Sequence, residues 1–291
     1  MREREEYRIA ALDMDGTLLN SDHRITSYTR EVLTRVAESG KVVALSTGRT
    51  LSELWPYLND MPFVTYVIGE NGACLYDVRS GRMLRRYVIE DAEVDFVLEL
   101  SERYDAVCQA FMEDQSYIRG ALDGTLARYH VLDFIDTFRI GSIVVDDMRA
   151  VCRTKRGTVS KINLYFSGEE ERADYLRRVA GHRLVLSDSI GLGMEMSPIG
   201  ATKAGGLQSL CDHLGIPVRQ SLAVGDAGND VEIMEAAGLS VAMANAIEKV
   251  RRRADVVTDD CDHDGAAKAV ERYMLRKEAM RQGSAPPPSL S

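Results

Sequence analysis

The sequence has few of the residues that usually announce a soft-metal site or a disulfide framework. Among 291 residues there are five histidines and five cysteines. No two histidines stand at metal-ligand spacing, and no two cysteines form a CxxC pair. The thiols of Cys74, Cys108, Cys152, Cys211 and Cys261 are odd in number and scattered, so they are expected to be reduced and mostly buried in a cytoplasmic protein. Long hydrophobic runs are also lacking: none approaches the roughly 18 residues that a membrane helix needs. The start, Met1-Arg2-Glu3-Arg4-Glu5-Glu6, has no apolar stretch behind it and does not read as a signal peptide. Positive charge is short as well. The formal net charge of -9 disfavours nucleic acid and anionic membrane as partners. A small anionic substrate remains compatible, because it needs only one local cation. What is present is ordinary globular material, 45% hydrophobic and 28% charged. The length suits one large domain or two moderate ones.

Three apolar runs near the start each end in a polar loop. Tyr7–Leu12 leads into Asp13-Met14-Asp15-Gly16-Thr17, Lys41–Leu45 into Ser46-Thr47-Gly48-Arg49, and Phe63–Ile68 into Gly69-Glu70-Asn71-Gly72. These read as buried strands. Helices are expected between them, one capped by Thr26 or Ser27 with Val32, Leu33 and Val36 on a face, and one around Leu51–Leu58. Strand–helix alternation of this length implies a parallel sheet with right-handed crossovers. After about residue 83 the rhythm changes. Helices are expected over Asp91–Tyr104 and Glu169–Ala180, and strands over Val107–Met112, Ser116–Arg119, Ser160–Phe166, Leu184–Leu186 and Gly193–Met196. That pattern suggests an inserted α+β domain over 84–190. Alternation then resumes with a helix over Lys203–Leu214, strands over Leu222–Val224, Leu239–Met243 and Asp255–Thr258, and helices over Val231–Ala237, Ala246–Ala254 and Ala266–Arg276. The expected organisation is a doubly wound α/β core built from 1–83 and 191–278, the insertion, and a disordered Pro-rich tail over 279–291.

Asp13, Thr47 and Asp226 each follow directly on an apolar strand. In a parallel sheet these strand ends lie on one edge, where open α/β sheets bind ligands. Asp13, Asp15, Asp226 and Asp230, with Thr47 and Lys203, can therefore converge from both ends of the chain. Crowded carboxylates repel one another, and the remedies are a raised pKa or a cation. Oxygen ligands of this kind suit Mg²⁺. On the Asp13-x-Asp15 loop, with Gly16 allowing a tight turn, one carboxylate can attack phosphorus while the other protonates the leaving oxygen and then activates water. A turn with helix-capping aspartates is the plainer alternative for such a triplet. Thr47-Gly48 offers a hydroxyl and free N–H groups, or simply a helix start. Lys203 begins a helix, where a cation is disfavoured unless an anion sits beside it; a solvated lysine is the other reading. Gly225-Asp226-Ala227-Gly228-Asn229-Asp230 brings two carboxylates and an amide onto one loop, as a metal site or an Asx turn. His182, His213 and His263 are isolated, Arg251-Arg252-Arg253 reads as a solvated helix face, and Met194 and Met196 read as core.

Taken together, these stretches resemble the haloacid dehalogenase superfamily and, within it, the Cof-type hydrolases. The matching residues are Asp13-Met14-Asp15-Gly16-Thr17-Leu18-Leu19, Ser46-Thr47-Gly48-Arg49, Lys203, and Gly225-Asp226 with Asn229-Asp230. Further matches are Glu70-Asn71-Gly72-Ala73, Val241-Ala242-Met243 with Asn245-Ala246, and Asp264-Gly265; together they span about residues 7–275. Ala244 departs from the glycine or aspartate of many relatives. The resemblance implies a Rossmann-like core with a mobile cap over 84–190 that excludes water and contacts the leaving group. It implies Asp13 as nucleophile and Mg²⁺ ligand, and Asp15 as general acid then base with its backbone carbonyl on the metal. Asp226 would be a further ligand, and Asp230 a ligand or an acceptor behind one. Thr47, Gly48, Lys203, Asn229 and the Met14 backbone N–H would hold phosphate.

Three activities fit these expectations. The first is hydrolysis of small phosphomonoesters, such as sugar phosphates, through an aspartyl phosphate. The second is a phosphomutase using the same intermediate. The third is a non-catalytic phosphate-binding regulator, which would need neither Asp13 nor Asp15. No residue of the cap matches a known specificity motif, so the substrate is not named by the resemblance.

Overall fold

A computed structural model describes residues 6–120 and 122–275. The expected tail over 279–291, and the last residue of the helix expected to reach 276, lie outside the described residues. In chain order the strands are β1 (Ile9–Leu12), β2 (Val42–Ser46), β3 (Tyr66–Gly69), β4 (Cys74–Asp77), β5 (Arg82–Arg86), β6 (Ala106–Met112), β7 (Gln115–Arg119), β8 (Ser142–Val145), β9 (Val159–Phe166), β10 (Leu184–Asp188), β11 (Gly193–Pro198), β12 (Ser221–Gly225), β13 (Leu239–Ala242) and β14 (Val256–Val257). The described residues divide into two compact units, the first comprising 6–45, 62–66 and 211–275, the second 46–61, 67–120 and 122–210.

In the first unit the strands run parallel. β1 lies between β12 and β2, with Ile9 opposite both Ser221 and Val42, and Leu12 opposite both Val224 and Leu45. β12 pairs with β13, and β13 with β14. Ile9, Ala10 and Leu12 have no exposed surface, which explains why β1 reads as an unbroken apolar run: a parallel strand is covered on both faces. The Ser27–Glu38 helix starts where expected. Its cap is Thr26, whose Oγ1 accepts the Thr29 N–H at 3.0 Å. Val32, Leu33 and Val36 are fully buried beneath it. The hydroxyls of Thr26 and Thr29 both donate to Asp264 Oδ1, at 2.5 and 2.9 Å, so Asp264 ties this helix to the chain's last third.

The second unit carries the β4–β5 hairpin and a six-stranded sheet in the order β10-β11-β9-β6-β7-β8. This sheet is antiparallel except for β7 with β8. One face is apolar. Cys108, Ala110, Met112, Ile162, Leu164, Phe166, Met194 and Met196 form a core with Val97, Leu98, Cys152 and Tyr175 from three helices, Asp91–Ser101, Met148–Thr154 and Glu169–Val179. The two methionines are therefore core, as their alternation implies. The opposite face carries Gln109, Lys161, Asn163, Tyr165 and Glu195, all buried despite their polarity.

Two regions depart from the sequence reading. The helix expected over Ala246–Ala254 is only Glu248–Arg251, because Ile247 is extended (φ -62, ψ 151) and gives its N–H to Asp226 O at 3.0 Å. A tertiary bond has replaced the first helical turn. The helix expected from Ala266 covers Gly265–Val270 and widens into a π-helical turn over Glu271–Leu275. The β4–β5 hairpin, β8 and the Ile135–Gly141 and Met148–Thr154 helices have no counterpart in the sequence reading. β5 reads Arg-Met-Leu-Arg-Arg and β8 leaves Ile143 and Val144 about half exposed, so neither shows the apolar signature of a core strand. All five cysteines are free, four of them buried. Among the described residues no helix is long and apolar enough to cross a membrane.

Glu53, on the Leu51–Leu58 helix, anchors the polar side of the second unit. Its Oε2 accepts the Thr50 N–H at 3.0 Å and its Oε1 accepts Gln109 Nε2 at 3.1 Å, while burial pushes its carboxyl above the usual range. Glu53→Leu leaves both buried donors short of an acceptor. At about 1–3 kcal/mol each, the variant is expected to lose about 2–4 kcal/mol of stability in a urea titration. A loss below about 0.5 kcal/mol would show that the carboxylate holds neither group.

Candidate functional site

The first unit gathers carboxylates at the ends of two adjacent strands. Asp13 follows β1 and Asp226 follows β12, and the Asp13 N–H donates to Val224 O at 2.9 Å, which extends the ladder into the loop. One ligand oxygen each from Asp13, Asp226 and Asp230 lies within 4.8 Å of the others. Asp13 and Asp230 are buried, and Asp226 is partly so. Asp230 is held by its own loop, where its Oδ2 accepts the N–H groups of Asp226 at 2.9 Å and Ala227 at 3.0 Å. Gly225 makes room for that bond, since a Cβ there would lie 2.4 Å from Asp230 Cγ.

The Asp13–Leu19 turn closes through the Leu19 N–H, which donates to Met14 O at 2.9 Å. Asp15 is extended (φ -78, ψ 126) and Gly16 turns into the left-handed region (φ 73). Thr17 then donates its hydroxyl to Asp226 Oδ1 at 2.7 Å, and Asn245 Nδ2 donates to Gly16 O at 2.8 Å. Asp15 is not one of the three clustered carboxylates. Its side chain is about one-third exposed, with His23 Nδ1 4.0 Å away. Thr17, Asn245 and His23 have no assigned part in the sequence reading. Thr17 and Asn245 lie inside family-like stretches, so they could have been singled out; His23 carries no local signal.

The remaining candidates belong to the second unit, apart from Asn229, which sits on the Gly228–Asp230 turn of the first. Thr47 follows β2, is buried, and its Oγ1 accepts the Arg49 N–H at 3.1 Å. Gly48 lies against Asn71, whose Oδ1 would be 3.1 Å from an added Cβ. Lys203 is buried at the first position of the Lys203–Leu214 helix, and Thr202 Oγ1 accepts the Gly205 N–H at 3.0 Å. The Glu70-Asn71-Gly72 stretch has three successive positive φ angles, 52, 56 and 92. At Gly72 a Cβ would lie 2.0 Å from Thr202 O, so the loop packs directly on the start of the lysine helix.

Three carboxylates this close need positive charge between them, and all their donors are hard oxygens, which fits Mg²⁺. The family model for haloacid dehalogenase-like hydrolases matches residues 10–270. The chain is 28% identical over 278 residues to the 5-amino-6-(5-phospho-D-ribitylamino)uracil phosphatase YitU of Bacillus subtilis, covering 91% of this chain and 97% of that one. It is 30% identical over 249 residues to the HMP-PP phosphatase of Serratia proteamaculans, covering 84% and 86%. Among solved structures it superposes on BT1666 from Bacteroides thetaiotaomicron, a phosphatase of the haloalkanoate superfamily, with a TM-score of 0.79, 28% identity and coverage of 94% and 97%. A haloacid dehalogenase-like hydrolase from B. subtilis gives a TM-score of 0.81, 26% identity and coverage of 92% and 100%.

Proposed function

The chain belongs to the haloacid dehalogenase-like hydrolase family, and from that premise we propose that it is a Mg²⁺-dependent phosphatase working through an aspartyl phosphate on Asp13. Its class is phosphoric monoester hydrolase, acting on phosphorylated small molecules. The observation that carries the finer reading is the convergence of Asp13, Asp226 and Asp230 to within 4.8 Å.

In this reading a carboxylate oxygen of Asp13 attacks phosphorus, and the bond from phosphorus to the leaving oxygen breaks. Asp15, off the cluster and partly solvated, gives that oxygen its proton. The same carboxylate then takes a proton from water as the water attacks the phospho-aspartate, which frees inorganic phosphate and restores Asp13. Asp13, Asp226 and Asp230 would hold Mg²⁺, with the Asp15 backbone carbonyl. When bound, the ion supplies positive charge that lets an anionic nucleophile meet an anionic phosphate. Thr47, Gly48, Lys203, Asn229 and the Met14 N–H are proposed phosphate contacts, and 84–190 the inserted cap. Sugar phosphates and similar metabolites are the proposed substrates, and unbridged thiols suit a cytoplasmic setting.

Phosphate release from p-nitrophenyl phosphate and a panel of metabolite phosphates tests this. With Mg²⁺ the protein is expected to release phosphate. Excess EDTA is expected to slow release at least tenfold, and added Mg²⁺ to restore it. Undiminished turnover in chelator would remove the metal from the mechanism, and isomerised phosphosugar without free phosphate would make the chain a mutase.

A further inference from the structure

A strand at the border of a sheet shows a row of backbone N–H and C=O groups with no neighbouring strand, and proteins blunt such borders with charge, short length or cover. Three strands here are blunted in this way. β14, which ends the parallel strands of the first unit, is two residues long. β5, the outer strand of its hairpin, carries Arg82, Arg85 and Arg86. β10, at one border of the six-stranded sheet, ends on Asp188, whose carboxylate is bonded to Arg172.

β8, at the other border of that sheet, has none of these devices. Among the described residues it pairs with β7 alone, and it reads Ser-Ile-Val-Val, without charge, proline or bulge. Alternation places Ile143 and Val145 on the core face, where Val145 packs against the apolar cluster. Ser142 and Val144 lie on the polar face, where the Ser142 hydroxyl meets Ser116 Oγ at 2.8 Å. Ile143 and Val144 are nevertheless 47% and 50% exposed, so neither face is closed over the middle of the strand. Ile140, two residues before the strand, is 62% exposed and extends the apolar border.

The charges flanking β8 are ordered. Arg139 comes three residues before it and is half exposed; its own ion-pair partner, Asp136, stands one helical turn farther from the strand. Asp146 and Asp147 follow the strand at once, and both are exposed. A second β8 laid parallel would set arginine beside arginine and aspartate beside aspartate. Laid antiparallel, it sets Arg139 of each copy at the Asp146–Asp147 end of the other, and symmetry makes that contact twice.

We propose that β8 is a dimer edge, at which two copies of this chain pair β8 with β8 antiparallel about a two-fold axis perpendicular to the sheet. That axis keeps like face with like face, so the Ile143 side chains of the two copies meet on one side and the Val144 side chains on the other. The six strands of each copy join into one sheet of twelve. Each copy has one such border, because β10 is blunted, so the pairing closes at two and does not run on into a fibre. Four strand residues a side make a small interface, and the dimer is expected to assemble over about 1–100 µM chain.

The test is sedimentation velocity on the full chain across that range, with folding of each variant checked by circular dichroism. The wild type is expected to pass from monomer to dimer. Val144→Lys puts a charge in the middle of the seam and is expected to raise the dissociation constant about tenfold or more. Asp146→Arg turns a like charge on Arg139 of the second copy and is expected to raise it about threefold or more. Adding Arg139→Asp to Asp146→Arg restores opposite charges across the seam and is expected to recover most of that loss. A wild type that stays monomeric at the highest concentration overturns the proposal, whether the edge then serves another protein or none. A dimer that Val144→Lys leaves unchanged also overturns it, as does one that the double charge exchange fails to recover. Species that grow past the dimer with concentration would show an edge that does not close, and overturn it as well. If Val144→Lys does not fold, Ile143→Lys reads the same seam from the other face.

Discussion

Asp13→Asn is expected to lower kcat by about 10⁴-fold or more while the protein keeps its fold. Removing the group that forms the covalent intermediate costs rate on this scale, and each tenfold corresponds to about 1.4 kcal/mol of barrier. The amide matches the carboxylate in shape, and the backbone bond from residue 13 to Val224 O does not depend on the side chain. The metal's effect on stability should change as well. Asp13, Asp226 and Asp230 place ligand oxygens within 4.8 Å of one another, so added Mg²⁺ should raise the melting temperature of the asparagine variant less than that of the wild type. Steady-state kinetics and thermal melts with and without Mg²⁺ check both halves. Activity within tenfold of wild type would remove Asp13 from the nucleophile's role.

Gly16→Ala should damage catalysis more than stability. Gly16 has φ 73, a conformation that costs an alanine about 1–2 kcal/mol. The larger effect is local: the new Cβ would lie 2.6 Å from Asp226 Oδ2 and 3.1 Å from its Cγ, so the carboxylate must move. Asp226 is also the acceptor for the Thr17 hydroxyl, and any shift disturbs that bond as well. We expect kcat/KM to fall about 100-fold and the Mg²⁺ concentration for half-maximal rate to rise. The melting temperature should fall by only a few degrees for a domain of this size. A Mg²⁺ titration of activity beside a melt separates the two. Wild-type kinetics in the alanine variant would mean that Asp226 has no fixed position to lose.

Much of the fold is readable wherever a structural cue is complete within a short window. Thr26 caps the first helix as its side-chain chemistry requires. The Lys203–Leu214 helix carries its apolar spacing within its own length. β1 and β12 announce themselves as apolar runs ending in acidic loops. The elements that escaped are those whose cue is non-local. β8 leaves its hydrophobic side chains half exposed, and the helix expected from Ala246 loses its first turn to a bond with Asp226 O.

Periodicity and capping act over a few residues, so the parallel α/β core, the order of the polar loops and the acidic residues at their tips can all be read from short stretches of chain. The meeting of Asp13 with Asp226 and Asp230, with Asp15 outside the cluster, comes instead from β1 pairing with β12 across some two hundred residues of chain, a long-range contact that no local pattern encodes. Long-range packing likewise buries the polar face of β9, which by its alternation could have faced water. Lys161 reaches Gly48 O from 113 residues away, and no window of sequence contains both.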